Sequence, residues 1–280
     1  MILKNITAKD FEFYTFFTGL KQKELDSLIK LFDSFPYFYT NKIMVIDNSR
    51  ATREIIESGN HFYYSERAYL RNVDYDIDYD SIDEVFDRYG HHLRRIITDT
   101  KLFHSDGINI VLHDFAKTDF TVIMDSDIVF RNDQYLNDMI GFVERYEDLL
   151  AVGQIYQSMP FHLTLGDFKS YNFFLRKAFG YLYKRVRLGR FPQIIPVLLC
   201  VNRNSFNEYN MSFKNLYLDV FNDRDKQDHK LFGDVGSSFL FQCALAGKMI
   251  VNIDIGGYVD HVGHVAIAES GGNGWSWFKR

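Results

Sequence analysis

Apolar residues change their spacing along the chain, and the spacing predicts strands and helices in alternation. Phe11 to Phe17 is an aromatic run that favours a strand, and Leu20 to Phe35 carries apolar residues at helical spacing. Lys42 to Asp47 is a second short apolar run, which predicts another strand. Strand, helix and strand over about 35 residues have the size of a βαβ unit, whose parallel strands present their carboxyl ends at one edge.

The alternation continues along the chain and favours an α/β fold. Further strands are predicted at His61–Tyr64, at the apolar run that begins at Val122 and ends at Asp125 and Asp127, and at Ala151–Tyr156, Ile194–Val201 and Ile250–His264. Helices are predicted at Asn109–Phe115, with Ser105 or Asp106 as a cap, at Tyr135–Leu150 and within Phe232–Leu245. The length permits one large domain or two small ones, and no Gly/Ser-rich tract marks a linker or a domain boundary.

The segment Val122–Phe130 reads V-I-M-D-S-D-I-V-F and carries the strongest chemical signal. Its apolar residues predict a buried strand, and Asp125 and Asp127 fall where that strand ends. Two carboxylates one residue apart repel each other and lose hydration unless a cation or hydrogen-bond donors compensate them. Mg²⁺ or Mn²⁺ suits carboxylate oxygens. The alternative, a plain turn or helix cap, stays open on this pattern alone.

Polar residues also follow the two predicted strands near the N-terminus. Thr18 follows the first strand, and Asp47, Asn48 and Ser49 close the second. Because parallel strands present their carboxyl ends at one edge, these residues can meet a ligand there. Taken in isolation, Asp47-Asn48-Ser49 is more typical of a simple turn.

Two late segments hold further candidates. Asp234 precedes a predicted helix, where it could be an ordinary cap. His261 and His264 follow a predicted strand, and an imidazole nitrogen there could complete a metal site begun by the aspartates. A histidine pair without other context is more often a surface or core feature.

Composition limits the class of protein. The chain has 280 residues, 46% of them hydrophobic and 25% charged, with a net charge of −5, which describes a soluble globular protein and argues against nucleic acid as the main partner. No signal peptide and no apolar run of roughly 20 residues is present, so we expect a cytoplasmic protein without a membrane span. Cys200 and Cys243 are interpreted as reduced core residues.

Two further segments of the chain are rich in charged residues. The acidic segment Asp74–Asp87 lacks calcium-loop spacing and is interpreted as a solvated face without chemistry. The segment His162–Arg190 mixes cations with aromatic residues and could hold an anionic or saccharide acceptor; a helix with one solvated cationic face is the alternative.

Several motifs together resemble the GT-A type glycosyltransferases of family 2. V-I-M-D-S-D-I-V-F is similar to their D-x-D segment, and I-M-V-I-D-N-S is similar to their nucleotide-binding second strand. Weaker matches are G-I-N-I-V-L-H-D, G-D-V-G-S-S-F followed by A-G-K-M-I, and H-V-G, all in the family's order. The resemblance covers nearly the whole chain and implies a single GT-A-like Rossmann-type α/β domain with a central, mostly parallel sheet flanked by helices.

The resemblance also implies roles for particular residues. Nucleotide-sugar contacts are expected from Thr18, Asp47, Asn48, Ser49, Asp125, Ser126 and Asp127. Asp47 would contact the base of the nucleotide. Asp125 and Asp127 would bind Mn²⁺ or Mg²⁺ with a late histidine, His261 ahead of His264. Asp234 would be the general base, although Gly233 stands where the family usually has Glu.

The implied reaction is a metal-dependent, inverting transfer of a hexosyl or pentosyl group from a UDP-sugar to a saccharide or glycan hydroxyl. Residues 1–130 would bind the donor and residues 131–280 the acceptor.

Two alternatives stay open. Haloacid dehalogenase phosphatases also use a strand-end D-x-D, but their later motif needs an acid where this chain has Ser238. A non-catalytic sugar-nucleotide-binding protein would bind the donor without turnover.

Overall fold

The computed structural model describes residues 5–58, 75–100, 104–156, 193–213 and 235–262. The predicted strand His61–Tyr64, the basic segment His162–Arg190, Asp234 and His264 lie outside these residues.

Strands and helices alternate along the described residues. The strands are β1 (Phe11–Phe17), β2 (Ile43–Asp47), β3 (Leu93–Ile97), β4 (Phe120–Met124), β5 (Ile128–Phe130), β6 (Leu149–Tyr156), β7 (Gln193–Asn202), β8 (Met249–Asn252) and β9 (Val259–His261). The helices are α1 (Gln22–Ser34), α2 (Ser49–Glu57), α3 (Tyr79–Arg88), α4 (His104–Ile110), α5 (Gln134–Arg145), α6 (Arg203–Glu208) and α7 (Val235–Ala246), with a π-helical turn at Val111–Phe115 and 3₁₀ turns at Ala8–Asp10 and Ile255–Gly257.

Seven strands form one sheet in the order β3-β2-β1-β4-β7-β6-β8. β2 pairs in parallel with both β1 and β3, β6 pairs in parallel with β8, and β6 and β7 are antiparallel. The predicted α/β fold with a central, mostly parallel sheet flanked by helices is therefore confirmed. β5 and β9 form a separate two-stranded antiparallel sheet.

Strand β4 ends at Met124, directly before Asp125, as predicted, and after the turn at residues 125–127 β5 pairs with β9. Two other features differ from the expectations. Helix α2 begins immediately after Asn48, where a turn was predicted. Strand β3 was missed because its sequence, L-R-R-I-I, places two arginines inside a short strand that is only partly buried.

The chain divides into two compact units. One comprises Met1–Glu12, Phe103–Ile123 and Tyr135–Ile255; the other comprises Phe13–Leu102, Met124–Gln134 and Gly256–Arg280. Both units draw on segments far apart in sequence. The assignment of donor binding to residues 1–130 and acceptor binding to residues 131–280 stays a prediction.

In the unit that contains the D-x-D turn, aromatic packing anchors β5. Phe130 of β5 lies edge-on to Phe35 and Tyr37, with ring centroids 5.6 and 6.2 Å away. Its backbone N–H donates to the Ser34 hydroxyl at 3.0 Å, and the Tyr37 hydroxyl donates to the Asp133 carbonyl at 2.7 Å. The strand that follows the two aspartates is thus attached to the end of α1.

In the other unit, α7 packs very closely on β7. A Cβ atom at Gly236 would lie 1.8 Å from the carbonyl oxygen of Ile194, so only glycine permits this approach. Phe239 of α7 stacks on Phe213 with centroids 4.2 Å apart, and Phe206 joins the same cluster. The first turn of α7 is therefore held against the beginning of β7.

Among the described residues, no helix combines the length and apolarity needed to cross a bilayer.

Candidate functional site

Asp125, Asp127 and His261 come together beyond the end of β4. The Nε2 atom of His261 lies 3.0 Å from Oδ1 of Asp127 and 3.7 Å from Oδ2 of Asp125. One ligand atom from each of the three residues lies within 4.8 Å of the others. The structure therefore groups three of the four residues that the sequence suggested as metal ligands, and the fourth, His264, lies outside the described residues.

Strand pairing places the histidine beside the aspartates. β5 begins directly after Asp127 and runs antiparallel to β9, with Ile128 opposite His261. The Val262 N–H donates to the Asp127 carbonyl at 2.9 Å, which continues the pairing up to the D-x-D turn. His261 is therefore brought to the carboxylates by pairing between segments that are distant in sequence.

The cluster carries unfavourable negative charge. Burial, followed by the neighbouring Asp127 carboxylate, raises the pKa of Asp125 to about 7, and His261 offsets only part of this. The Asp125 side chain nevertheless keeps 28% of its surface exposed, so an ion can reach it. Two carboxylates with an excess of negative charge favour a cation between them.

The histidine is affected in two opposing ways. Burial lowers the pKa of His261, but the hydrogen bond to Asp127 and the charges of both carboxylates outweigh it, so the pKa is raised overall. In the metal-free protein Asp125 and His261 therefore hold their protons more tightly than the isolated side chains do. Carboxylate oxygens with one imidazole nitrogen are a suitable donor set for Mn²⁺ and related ions, and Ser126 lies between the two aspartates in the same turn.

The polar residues at the end of β2 and directly after it lie in a second cluster of the same unit. Asp47 is fully buried, and its Oδ1 accepts from the Ser49 N–H at 2.8 Å. Its Oδ2 accepts from Nε of Arg95 at 2.7 Å, and the second guanidinium nitrogen makes an ion-pair contact at 2.7 Å. Oδ1 of Asn48 accepts from the Thr98 hydroxyl at 2.9 Å. Both oxygens of the Asp47 carboxylate therefore already have partners inside the protein. The contact of Asp47 with a nucleotide base stays a prediction.

Arg95 is a residue that sequence reasoning missed. It lies on β3, its guanidinium packs 4.3 Å from the centroid of Phe86, and it also pairs with Asp83. Within the acidic segment, which was interpreted as a solvated face without chemistry, Asp83 has this structural role, and the exposed Asp78 caps α3 by accepting from the Ser81 N–H at 2.7 Å. A cation inside an apolar strand was the signal that could have revealed the ion pair.

Thr18 lies beside these residues, as parallel strand ends predict. The Asn48 N–H donates to the Phe17 carbonyl at 2.8 Å. Gly19 has φ +65°, and a Cβ there would lie 2.4 Å from Cβ of Ser49, so the loop after β1 touches the start of α2. The Thr18 hydroxyl donates to Oε2 of Glu24 at 2.6 Å, which holds this loop to α1.

Sequence comparisons identify no relative: no family model matches the chain, and neither does any curated protein. Among solved structures, it resembles the mannosyltransferase PcManGT from Pyrobaculum calidifontis in complex with GDP-Man and Mn²⁺, with a TM-score of 0.45 and 11% identity over 87% of this chain and 54% of that one. It also resembles S. aureus TarS 1-349 in complex with UDP-GlcNAc, with a TM-score of 0.43 and 12% identity over 90% and 60% of the two chains.

A third similar structure is GalNAc-T7 with UDP, GalNAc and Mn²⁺, with a TM-score of 0.44 and 12% identity over 87% of this chain and 42% of that one. Glycosyltransferases are thus among the solved structures that resemble this chain. The chain spans between 42% and 60% of the length of these three proteins. The likeness assigns no activity to this chain.

The Asp47–Arg95 pair makes a prediction about stability. Asp47→Ala leaves a largely buried guanidinium with Asp83 as its remaining carboxylate, so we expect a loss of about 3 kcal/mol in the free energy of unfolding, measured by urea denaturation. Adding Arg95→Met to the same protein should recover part of the loss. Asp80→Ala, at an exposed aspartate in the first turn of α3, is the control. A loss below about 1 kcal/mol for Asp47→Ala would show that the ion pair is dispensable.

The raised pKa values make a prediction about pH. A metal ion competes with protons for Asp125 and His261, so binding strengthens as these groups lose their protons. From the Asp125 value of about 7, Mn²⁺ should bind about tenfold more weakly near pH 6 than near pH 8, as measured by calorimetry. Asp125→Asn should flatten this dependence. The same affinity at both pH values in the native protein would contradict the assignment.

Proposed function

We propose that this protein is a metal-dependent glycosyltransferase that moves a sugar from a nucleoside-diphosphate donor, a UDP-sugar, to a hydroxyl group of a saccharide or glycan. The Asp125–Asp127–His261 cluster carries the proposal. It lies where a strand of a mostly parallel sheet ends, which is where ligands of α/β proteins bind. Its donor atoms and its excess of negative charge suit a divalent cation.

Asp125, Asp127 and His261 would hold Mn²⁺ or Mg²⁺. When bound, such an ion neutralises the charge that develops on a departing diphosphate. The two carboxylates fix the position of the cation, and His261 adds a neutral ligand that does not increase the negative charge. Because 28% of the Asp125 side chain is exposed, phosphate oxygens could reach an ion held there.

The uridine nucleotide is proposed from the second cluster. The segment I-M-V-I-D-N-S resembles the nucleotide-binding strand of family 2 glycosyltransferases, and Asp47, Asn48 and Ser49 occur at its end. The Gly19 loop packs against the start of α2, so Thr18 lies near these residues. Thr18 and Asp47 are proposed to contact the nucleotide, with Arg95 fixing the orientation of the Asp47 carboxylate.

Asp234 is proposed as the general base. It immediately precedes the first residue of α7, Val235, and lies outside the described residues. Its role rests on the resemblance of G-D-V-G-S-S-F to the family's late helix. A carboxylate there would remove the proton from the acceptor hydroxyl as that oxygen attacks the anomeric carbon, giving inversion. Orientation of donor and acceptor would supply much of the remaining rate enhancement.

The first test concerns the metal ligands. UDP with Mn²⁺ should raise the melting temperature of the native protein, because a ligand that binds only the folded state stabilises it. Asp127→Ala should fold normally and lose this metal-dependent shift, since the change removes a ligand near solvent and no core volume. Asp87→Ala, at an exposed aspartate of α3, should keep the shift. An unchanged shift in folded Asp127→Ala would refute the metal site.

The second test separates a base from a helix cap at Asp234. A panel of nucleotide sugars, screened by thermal shift with Mn²⁺, first identifies the donor. Asn caps helices as well as Asp but cannot accept the proton, so Asp234→Asn should keep the melting temperature and donor affinity and lose turnover by roughly 10²-fold or more. Near-native transfer by this variant would place the base elsewhere. Donor binding without any turnover in the native protein would identify a non-catalytic binding protein.

A further inference from the structure

Arg131 follows β5 and makes several contacts with the segment that leads into β9. Its backbone N–H donates to the Tyr258 carbonyl at 2.8 Å. One guanidinium nitrogen donates to the Gly256 carbonyl at 2.7 Å, and another pairs with the Asp260 carboxylate. Asn132, the next residue, donates from its side chain to the Gly257 carbonyl at 3.1 Å. The end of β5 therefore holds most of the chain between Gly256 and Asp260.

The pairing that these contacts support is short. β5 and β9 have three residues each, paired as Ile128 with His261, Val129 with Asp260 and Phe130 with Val259. So few backbone hydrogen bonds make a two-stranded sheet marginal by itself. Because side chains alternate along a strand, a slip of one residue would turn His261 to the opposite face of the ribbon and away from Asp127.

Asp260 lies next to His261 in β9, so its side chain points to the opposite face. There it meets Arg131, and the two side chains are each about half exposed, at 49% and 50%. The pair is thus separate from the carboxylates of Asp125 and Asp127. An ordinary exposed ion pair contributes little to stability, but this guanidinium also binds a backbone carbonyl of the same segment and so defines where the segment lies.

We propose that Arg131 and Asp260 are positioning residues that lock the register of the β5–β9 ribbon and thereby hold His261 against Asp125 and Asp127. Their effect on metal binding rests on the proposed function, whereas their effect on the ribbon does not. The side chain of Arg131 binds the Asp260 carboxylate and the Gly256 carbonyl, and the two residues act through the backbone of β9. Removing them should weaken metal binding without removing a ligand.

The first experiment measures Mn²⁺ affinity directly, from the electron paramagnetic resonance signal of the free ion. Arg131→Ala and Asp260→Ala should each weaken Mn²⁺ binding by roughly tenfold, the size expected when a residue that orients a ligand is lost. The double variant should be no weaker than the single ones, because the two residues act as one unit. Asp260→Glu, which keeps a carboxylate, should retain most of the Mn²⁺ affinity that Asp260→Ala loses. Lys248→Ala, which breaks the 3.7 Å ion pair with Asp148, is the matched control.

The second experiment uses the metal-free protein and measures hydrogen exchange of the segments 127–131 and 256–262. Arg131→Ala should speed exchange of the Val262 amide, which donates to the Asp127 carbonyl, while Lys248→Ala leaves it unchanged. Unchanged exchange in both Arg131→Ala and Asp260→Ala would overturn the proposal whatever the metal result. Faster exchange with undiminished Mn²⁺ affinity would also overturn it.

The two experiments separate this inference from the proposed function. If the native protein binds no Mn²⁺, or if Asp127→Ala binds it equally well, the proposed metal site fails, and the exchange data alone decide whether the pair locks the ribbon. If Asp127→Ala abolishes Mn²⁺ binding and Arg131→Ala does not change it, the metal site stands and the positioning role is wrong.

Discussion

The repulsion between two carboxylates at the end of a buried strand is the constraint on which the site depends. All five residues of β4 are buried, so the strand is held firmly in the sheet. The turn that follows β4 is therefore held in place, and its two aspartates cannot move far apart. The cost is evident in Asp125. Burial and the neighbouring Asp127 carboxylate raise the pKa of Asp125 to about 7. His261 relieves part of it through its hydrogen bond to Asp127, and a divalent cation would relieve more. The β5–β9 ribbon is what brings that histidine within reach.

Asp47 shows the other solution to the same physical problem. It is the last residue of β2, and its carboxylate is completely removed from water. The protein compensates it internally, with the Arg95 guanidinium and the Ser49 N–H. Asp125 and Asp127 have His261 in place of a permanent cation. The negative charge of Asp47 is therefore compensated within the protein, whereas the D-x-D cluster keeps negative charge that a divalent cation suits.

Elements with a clear apolar period were predictable. β1 has the predicted bounds, β2 begins one residue later than predicted, and α1 lies inside the predicted helix Leu20–Phe35. β3 was not predictable from periodicity, because two of its five residues are arginines and its pairing with β2 is what makes it a strand. The start of α2 was mistaken for a turn because Asn and Ser serve equally well as turn residues and at a helix N-terminus.

The sequence by itself determined the local features: that the runs Phe11–Phe17 and Ile43–Asp47 become strands, that Asp47 and Asp125 fall at strand ends, and that parallel ends share an edge. These features follow from side-chain periodicity and from the cost of burying carboxylates. Both effects can be judged from residues close in sequence. The tertiary structure alone decided the partners. It paired β5 with β9 so that His261 meets Asp127, and it placed Arg95 against Asp47. Such choices depend on contacts between distant segments; the local pattern could suggest His261 as a ligand but not the strand pairing that brings it to Asp127.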